Sequence, residues 1–195
     1  MKLTKLLERL DYKVIAGSDN IEITELVNDS RKVVPGSVFV CISGAVSDGH
    51  QYVKDVAERG AAAVIVEKDV EVPEGLTVIK VENTRYALAL MSAAYFGYPA
   101  EKLKTIGITG TKGKTTTTYM VKAILEEVGH KVGLIGTIEA IIGDKTIPSN
   151  NTTPESYTIQ KYFAQMVEAG CDCVVMEVSS QGLMLHRTAG IMFDI

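Results

Sequence analysis

The residues with the most chemical content stand together in Ile106-Gly107-Ile108-Thr109-Gly110-Thr111-Lys112-Gly113-Lys114-Thr115-Thr116. An apolar, β-branched run enters a glycine-rich turn, and Gly113-Lys114-Thr115 opens a helical pattern. Glycine lets backbone N–H groups close around phosphate oxygens, and a helix N-terminus adds partial positive charge at the same place. Lys114 is placed to reach the β and γ phosphates of a nucleotide, and the Thr115 hydroxyl is a hard ligand for Mg²⁺. The strict pattern Gly-x4-Gly-Lys-[Ser/Thr] is not met, because Ile108 stands where its first glycine belongs. The shorter form Gly-Thr-x-Gly-Lys-Thr is met in full by Gly110, Thr111, Lys112, Gly113, Lys114 and Thr115, with Thr116 next in line. A structural turn that merely contains a lysine would look similar. The strand before it and the helix after it favour phosphate, so ATP and Mg²⁺ are the expected cofactors.

A second chemical group is Glu177. It follows Cys173-Val174-Val175-Met176, the pattern of a buried strand, and so falls near that strand's C-terminal end. Ligands of open α/β sheets bind beyond that end, and a carboxylate there suits Mg²⁺. Lys114 and Glu177 are therefore the expected catalytic residues, with Thr115 and Glu177 as metal ligands. His50 and His186 have no accompanying Ser or Cys nucleophile pattern, and His130 reads as a solvated turn residue. Cys41, Cys171 and Cys173 lie in apolar runs and read as reduced core thiols; Cys171 and Cys173 would share a strand face, but no second Cys or His pair stands at ligand spacing. This cysteine usage points to a cytoplasmic protein.

The elements that must hold these groups form two α/β blocks. In residues 1–98, Leu3, Leu6, Leu7 and Leu10 mark a short amphipathic helix. Strands are expected at 23–27, 38–42, 62–66 and 77–81, with a helix over 50–58 and another capped by Asn83 and stopped by Gly97. Tyr98-Pro99-Ala100 makes the boundary. In residues 99–195, a strand over 103–109 leads through the glycine turn to a helix over 113–128. A strand over 131–137, a hairpin around Gly143-Asp144, a helix over 155–169 and a strand over 173–178 follow. This alternation predicts a small α/β domain followed by a doubly wound, mostly parallel sheet. Met192-Phe193-Asp194-Ile195 reads as the start of a further strand, so the 195 residues are expected to be part of a longer protein.

Composition excludes several classes. Twenty Lys and Arg against 24 Asp and Glu give a net charge of −4, which argues against a nucleic-acid surface. No stretch approaches the ~20 apolar residues that would cross a bilayer. The expectation is a monomer acting on small molecules, with neither nucleic-acid nor membrane partners.

The loop from Gly110 to Thr116 resembles that of the Mur ligase family. Asn28-Asp29-Ser30-Arg31, Pro35-Gly36-Ser37-Val38-Phe39-Val40, Gly44, Asp48-Gly49-His50 and Gly60-Ala61 resemble its UDP-sugar-binding N-terminal domain. Asn151-Thr152-Thr153-Pro154, Met176-Glu177-Val178-Ser179-Ser180, Gly182-Leu183 and His186-Arg187 resemble the members that add the third residue of the peptidoglycan stem peptide. The resemblance implies that ATP phosphorylates the D-glutamate carboxylate of UDP-N-acetylmuramoyl-L-alanyl-D-glutamate. The amino group of meso-diaminopimelate or L-lysine then attacks the acyl phosphate. It further implies that Asn28, Ser30 and the loop Ala45-Val46-Ser47 meet the uridine. Asn151, Thr152 and Thr153 would meet the diphosphate and sugar, and Ser179 and Arg187 the peptide or phosphate portion. The helix-cap reading of Thr153, ahead of Pro154 and Glu155, stands beside that one. Competing readings are another Mur-type or folylpolyglutamate-type ligase, and a P-loop kinase or ATPase with a regulatory N-terminal module.

Overall fold

The computed structural model describes residues 1–44 and 47–195, and its chain divides into two compact units, Met1–Tyr95 and Phe96–Ile195. In the first unit, β1 (Lys13–Ala16), β2 (Leu26–Val27), β3 (Val38–Val40), β4 (Ala63–Val66) and β5 (Thr77–Lys80) form one sheet in the order β1-β5-β4-β3-β2. Only the β1–β5 pair is antiparallel. Side chains alternate across a strand, so Phe39 and Cys41, Val64 and Val66 meet Val53 and Val56 of α2 (Val53–Glu58) in one apolar cluster. α1 (Leu3–Leu6) and α3 (Thr84–Tyr95) pack against each other, and α3 also against β2. Asn83 caps α3 by accepting the Tyr86 N–H at 2.9 Å.

In the second unit, β6 (Lys104–Ile108), β7 (Val132–Ile135), β8 (Glu139–Ile142), β9 (Lys145–Pro148) and β10 (Cys173–Glu177) are ordered β6-β10-β7-β8-β9. The pairs β6–β10 and β10–β7 are parallel, while β7–β8 and β8–β9 are antiparallel. Both sheets are thus mixed. Alternation along β10 decides which helix each side chain meets. Cys173 and Val175 pack with Val121 and Leu125 of α4 (Lys114–Glu127), whereas Val174 and Met176 pack with Ile159, Phe163 and Met166 of α5 (Ser156–Glu168). The two helices therefore cover opposite faces of the sheet.

Several elements differ from their sequence expectation. The strand over 23–27 shrinks to Leu26–Val27, because Ile23 and Thr24 give their N–H groups to Met1 and Gly36 outside any ladder. The helix over 50–58 begins as a 3-10 turn, Gly49–Tyr52, capped by Asp48. Residues 192–195 form no assigned strand, yet Asp194 and Ile195 bond to the backbone of Thr105 and Gly107 along β6. A short helix α6 (Ser180–Met184) follows β10. Among the described residues, no helix is long and apolar enough to cross a membrane.

Candidate active site

Continuing the alternation of β10, the side chain of Glu177 falls on the same face as Cys173 and Val175, the face that carries α4. Gly113 is the N-cap of α4 at φ 80°, a left-handed backbone that suits glycine, and no side chain caps the helix there. The first turn of α4 thus presents its N–H groups and dipole at the C-terminal edge of the sheet. Thr115, in that turn, donates its hydroxyl to Glu177 Oε2 at 3.0 Å. The glycine-rich loop and the carboxylate meet at one edge through residues 62 apart in sequence. Lys114 folds its ammonium onto Gly110 O at 2.8 Å, and Thr111, Lys112 and Thr116 are exposed around it. Tyr119, one turn along, donates to Glu139; burial foremost, then that bond, push its phenol up to about 12.

Glu177 is 1% exposed, and its neighbours are hydroxyl and amide donors rather than a cation. Oε1 accepts the Thr137 N–H at 2.8 Å, and Oε2 accepts the Thr137 hydroxyl at 3.1 Å besides that of Thr115. A buried carboxylate without a paired cation is costly, and two hard oxygen donors within 3.0 Å of each other suit a small divalent ion. The residues present therefore fit Mg²⁺, which Thr115 Oγ1 and a Glu177 oxygen would hold.

The loop at 151–153 is tied to the same strand end. Thr153 is 1% exposed; its hydroxyl donates to the Glu177 carbonyl at 2.9 Å and accepts the Ser179 N–H at 2.9 Å. The N-cap of α5 is Glu155, so Thr153 is a stitch between loop and strand rather than the helix cap. Thr152 meets the Thr137 hydroxyl at 3.0 Å, and Asn151 is exposed. Ser179 caps α6 by accepting the Gly182 N–H at 3.0 Å. Arg187 donates to the Thr153 carbonyl at 2.9 Å and pairs with Glu155 at 2.5 Å.

In the first unit, Asn28 is exposed, and Ser30 opens a 3-10 helix capped by Asp29. The Arg31 guanidinium, bonded to Asp29 through Nε and Nη2, holds that carboxyl down to about 2. Ala45 and Val46 lie outside the described residues. Ser47 accepts from Gln51 Nε2 at 2.9 Å, and its carbonyl accepts the Gly44 N–H. The residues flanking this loop are braced by a network around His50, a role that sequence reasoning did not assign to it. His50, with 7% of its side chain exposed, accepts the Glu67 N–H on Nε2, so Nδ1 carries the proton it donates to Asp48 at 2.6 Å. Glu67 in turn accepts from Ser43 and twice from Thr84. His50 is a brace, not a base.

Lys68 first, then His50, hold the Asp48 carboxyl well below its ordinary 3.8. A depressed folded value contributes stability that is present above about pH 4 and lost as pH falls toward the folded value. Asp48→Asn is therefore expected to lower the urea midpoint at pH 7, with the gap to the parent closing below pH 4. A gap of constant size from pH 7 to pH 2 would refute the charge-based account.

The other titratable cluster is His130, Asp172 and Cys173, at the opposite, N-terminal end of β10. His130 Nδ1 and the Lys131 N–H take one Asp172 oxygen each, and burial first, with Asp172 adding to it, pushes the Cys173 thiol up. The three cysteines are free and buried.

Comparison with known proteins bears on what this edge is for. Residues 22–96 match the description "Mur ligase family, catalytic domain", and residues 108–195 match "Mur ligase middle domain". Those two stretches leave only residues 1–21 and 97–107 outside. The chain belongs to the Mur ligase family. Relatives named UDP-N-acetylmuramoyl-L-alanyl-D-glutamate–2,6-diaminopimelate ligase include that of Clostridium perfringens, 49% identical over 194 residues, and that of Bacillus licheniformis, 47% identical over 196. The whole chain is covered in each case, but it spans only 40% of either relative's length. A solved structure of a ligase with that same name superimposes at a TM-score of 0.78 over 97% of this chain and 38% of its own, at 22% identity. A MurF structure from Acinetobacter baumannii reaches 0.59 over 92% of this chain and 36% of its own, also at 22% identity. These likenesses bear on the fold. In this Mur ligase chain, Gly136 and Thr137 are the contacts to Glu177 that the sequence reading missed. Their only signal was a Gly-Thr pair directly after an apolar strand.

Proposed function

We propose that this chain is the UDP-sugar- and ATP-binding portion of an amide ligase. Its substrate is read as UDP-N-acetylmuramoyl-L-alanyl-D-glutamate, and the third stem-peptide residue, 2,6-diaminopimelate or L-lysine, as the amine it adds. The single observation that carries the reading is the meeting of the phosphate loop with Glu177 through Thr115 at one sheet edge, in a chain 49% identical to a ligase of that name. ATP and Mg²⁺, when bound, supply the phosphoryl group that makes the D-glutamate carboxylate an electrophile and the charge that screens two approaching anions. The chain's own residues do the rest. The N–H groups of the loop and first turn of α4 cradle phosphate oxygens, and Lys114 leaves Gly110 to meet the terminal phosphates. Thr115 and Glu177 hold the metal. Asn151 and Thr152 receive the sugar diphosphate, with Ser179 and Arg187 nearer the peptide; Asn28, Ser30 and residues 45–47 are assigned to the uridine. Arg187 would then act partly by fixing the loop through Glu155 and the Thr153 carbonyl. We read the protein as cytoplasmic and monomeric.

The test is phosphate release by the intact protein with ATP, Mg²⁺ and the UDP-muramoyl dipeptide, with and without diaminopimelate or lysine. Release that requires the amine supports the ligase. Release or phosphoryl transfer indifferent to the amine would support the kinase or ATPase reading instead.

A further inference from the structure

Thr137 stands one residue past Gly136, in the turn that leaves β7, and the parallel pairing of β7 with β10 sets that turn beside Glu177. Its backbone N–H and hydroxyl both serve the Glu177 carboxylate, one to each oxygen. The same hydroxyl lies 3.0 Å from Thr152 Oγ1. A continuous line of polar contacts thus runs from Thr115 through Glu177 and Thr137 to Thr152, from the phosphate loop to the 151–153 loop. Gly136 makes this line possible by what it lacks. A Cβ there would stand 2.5 Å from Glu177 Oε1, well inside van der Waals contact, although its backbone is not in the left-handed region. The glycine is needed for close approach, not for φ.

A carboxylate can bind a metal in several orientations, and a neighbouring donor selects one by holding the oxygen that the metal does not use. Oε1 is taken by the Thr137 amide and hemmed by Gly136. Oε2 faces Thr115, the residue that offers the other hard oxygen. A hydroxyl can release its proton bond to Oε2 and turn toward Thr152, which a backbone amide cannot do.

We propose that Gly136 and Thr137 form a seat that positions the Glu177 carboxylate for the metal–nucleotide complex, with the Thr137 hydroxyl linking that seat to Thr152 in the 151–153 loop. Thr137 is a positioning residue and does not itself touch the metal. The inference rests on the reading of Glu177 as a Mg²⁺ ligand.

Three variants of the intact protein test it, with Mg²⁺-dependent binding of a fluorescent ADP analogue as readout, so turnover is not needed. Thr137→Val keeps shape and backbone N–H but removes the hydroxyl, and should raise the Mg²⁺ needed for half-maximal binding by about tenfold. Thr137→Ser should restore it to within about twofold. Glu177→Gln serves as the control on the underlying reading. Melting temperature is recorded for each. If Glu177→Gln shifts the Mg²⁺ requirement and Thr137→Val does not, the seat is refuted and the metal site stands. If Glu177→Gln shifts nothing, both fall together. Should Thr137→Ser bind as weakly as Thr137→Val, the hydroxyl is not the acting group and the proposal fails. Were Thr137→Val to unfold, Gly136→Ala at a temperature where it is folded decides, because its Cβ displaces the carboxylate without deleting a donor; unchanged Mg²⁺ dependence there would overturn the seat.

Discussion

Lys114→Ala in the intact protein is expected to cut the ligation rate by about 10²-fold or more, equivalent to about 2.7 kcal/mol of transition-state stabilisation. Lys114 is the first residue of α4, and its ammonium now sits on Gly110 O at 2.8 Å, inside the loop that would hold phosphates. That single bond to a loop carbonyl is easily exchanged for phosphate oxygens of full negative charge. No other residue of the motif can replace it: Lys112 is exposed on the loop, and Thr115 is turned to Glu177. The side chain lies outside the apolar clusters of the unit, so its removal leaves the core intact. Far-ultraviolet circular dichroism and melting temperature should match the parent. A rate loss below about tenfold with an unchanged spectrum would remove the role given to Lys114.

Glu177→Gln should raise the Mg²⁺ concentration for half-maximal rate by roughly tenfold or more and lower the maximal rate with it. Glutamine fills the same 1%-exposed site. Its amide oxygen can accept the Thr137 N–H, and its NH₂ can donate to the hydroxyls of Thr115 and Thr137, which accept as readily as they donate. The hydrogen-bond network therefore survives and the charge does not. The melting temperature is expected to stay within about 4 °C of the parent, a shift that corresponds to about 1 kcal/mol or less. A lowered melting temperature that by itself accounts for the lost activity, or an unaltered Mg²⁺ requirement, would make Glu177 a structural carboxylate.

Much of this was written in local sequence. The run from Leu103 to Val128 spells strand, glycine turn and helix with apolar residues, breakers and β-branching all in agreement, and β6 and α4 fall within a residue or two of it. Gly143-Asp144 fixes the β8–β9 hairpin, and Asn83 fixes the start of α3, because turns and caps depend on one or two side chains close in sequence. Glu177 is legible for the same reason: four apolar residues place it at a strand end, whatever that strand's neighbours are.

Tertiary structure decided the rest. β1 escaped sequence reading because it is an antiparallel edge strand with Val14 and Ile15 exposed, so no alternation of burial marks it. The order β6-β10-β7 inserts the last strand between two earlier ones, and no local pattern encodes that insertion. Yet this insertion alone sets Glu177 against Thr115 on one side and Thr137 on the other. Thr153 shows the same limit at one residue. Its place before Pro154 and Glu155 suits a helix cap, but its hydroxyl is used at the end of β10, 24 residues away. The sequence by itself determined which groups could do the chemistry, since loops, caps and strand ends are short-range features. Which of them meet was settled by strand order, a product of long-range packing between apolar faces that many sequences satisfy and only the folded chain selects.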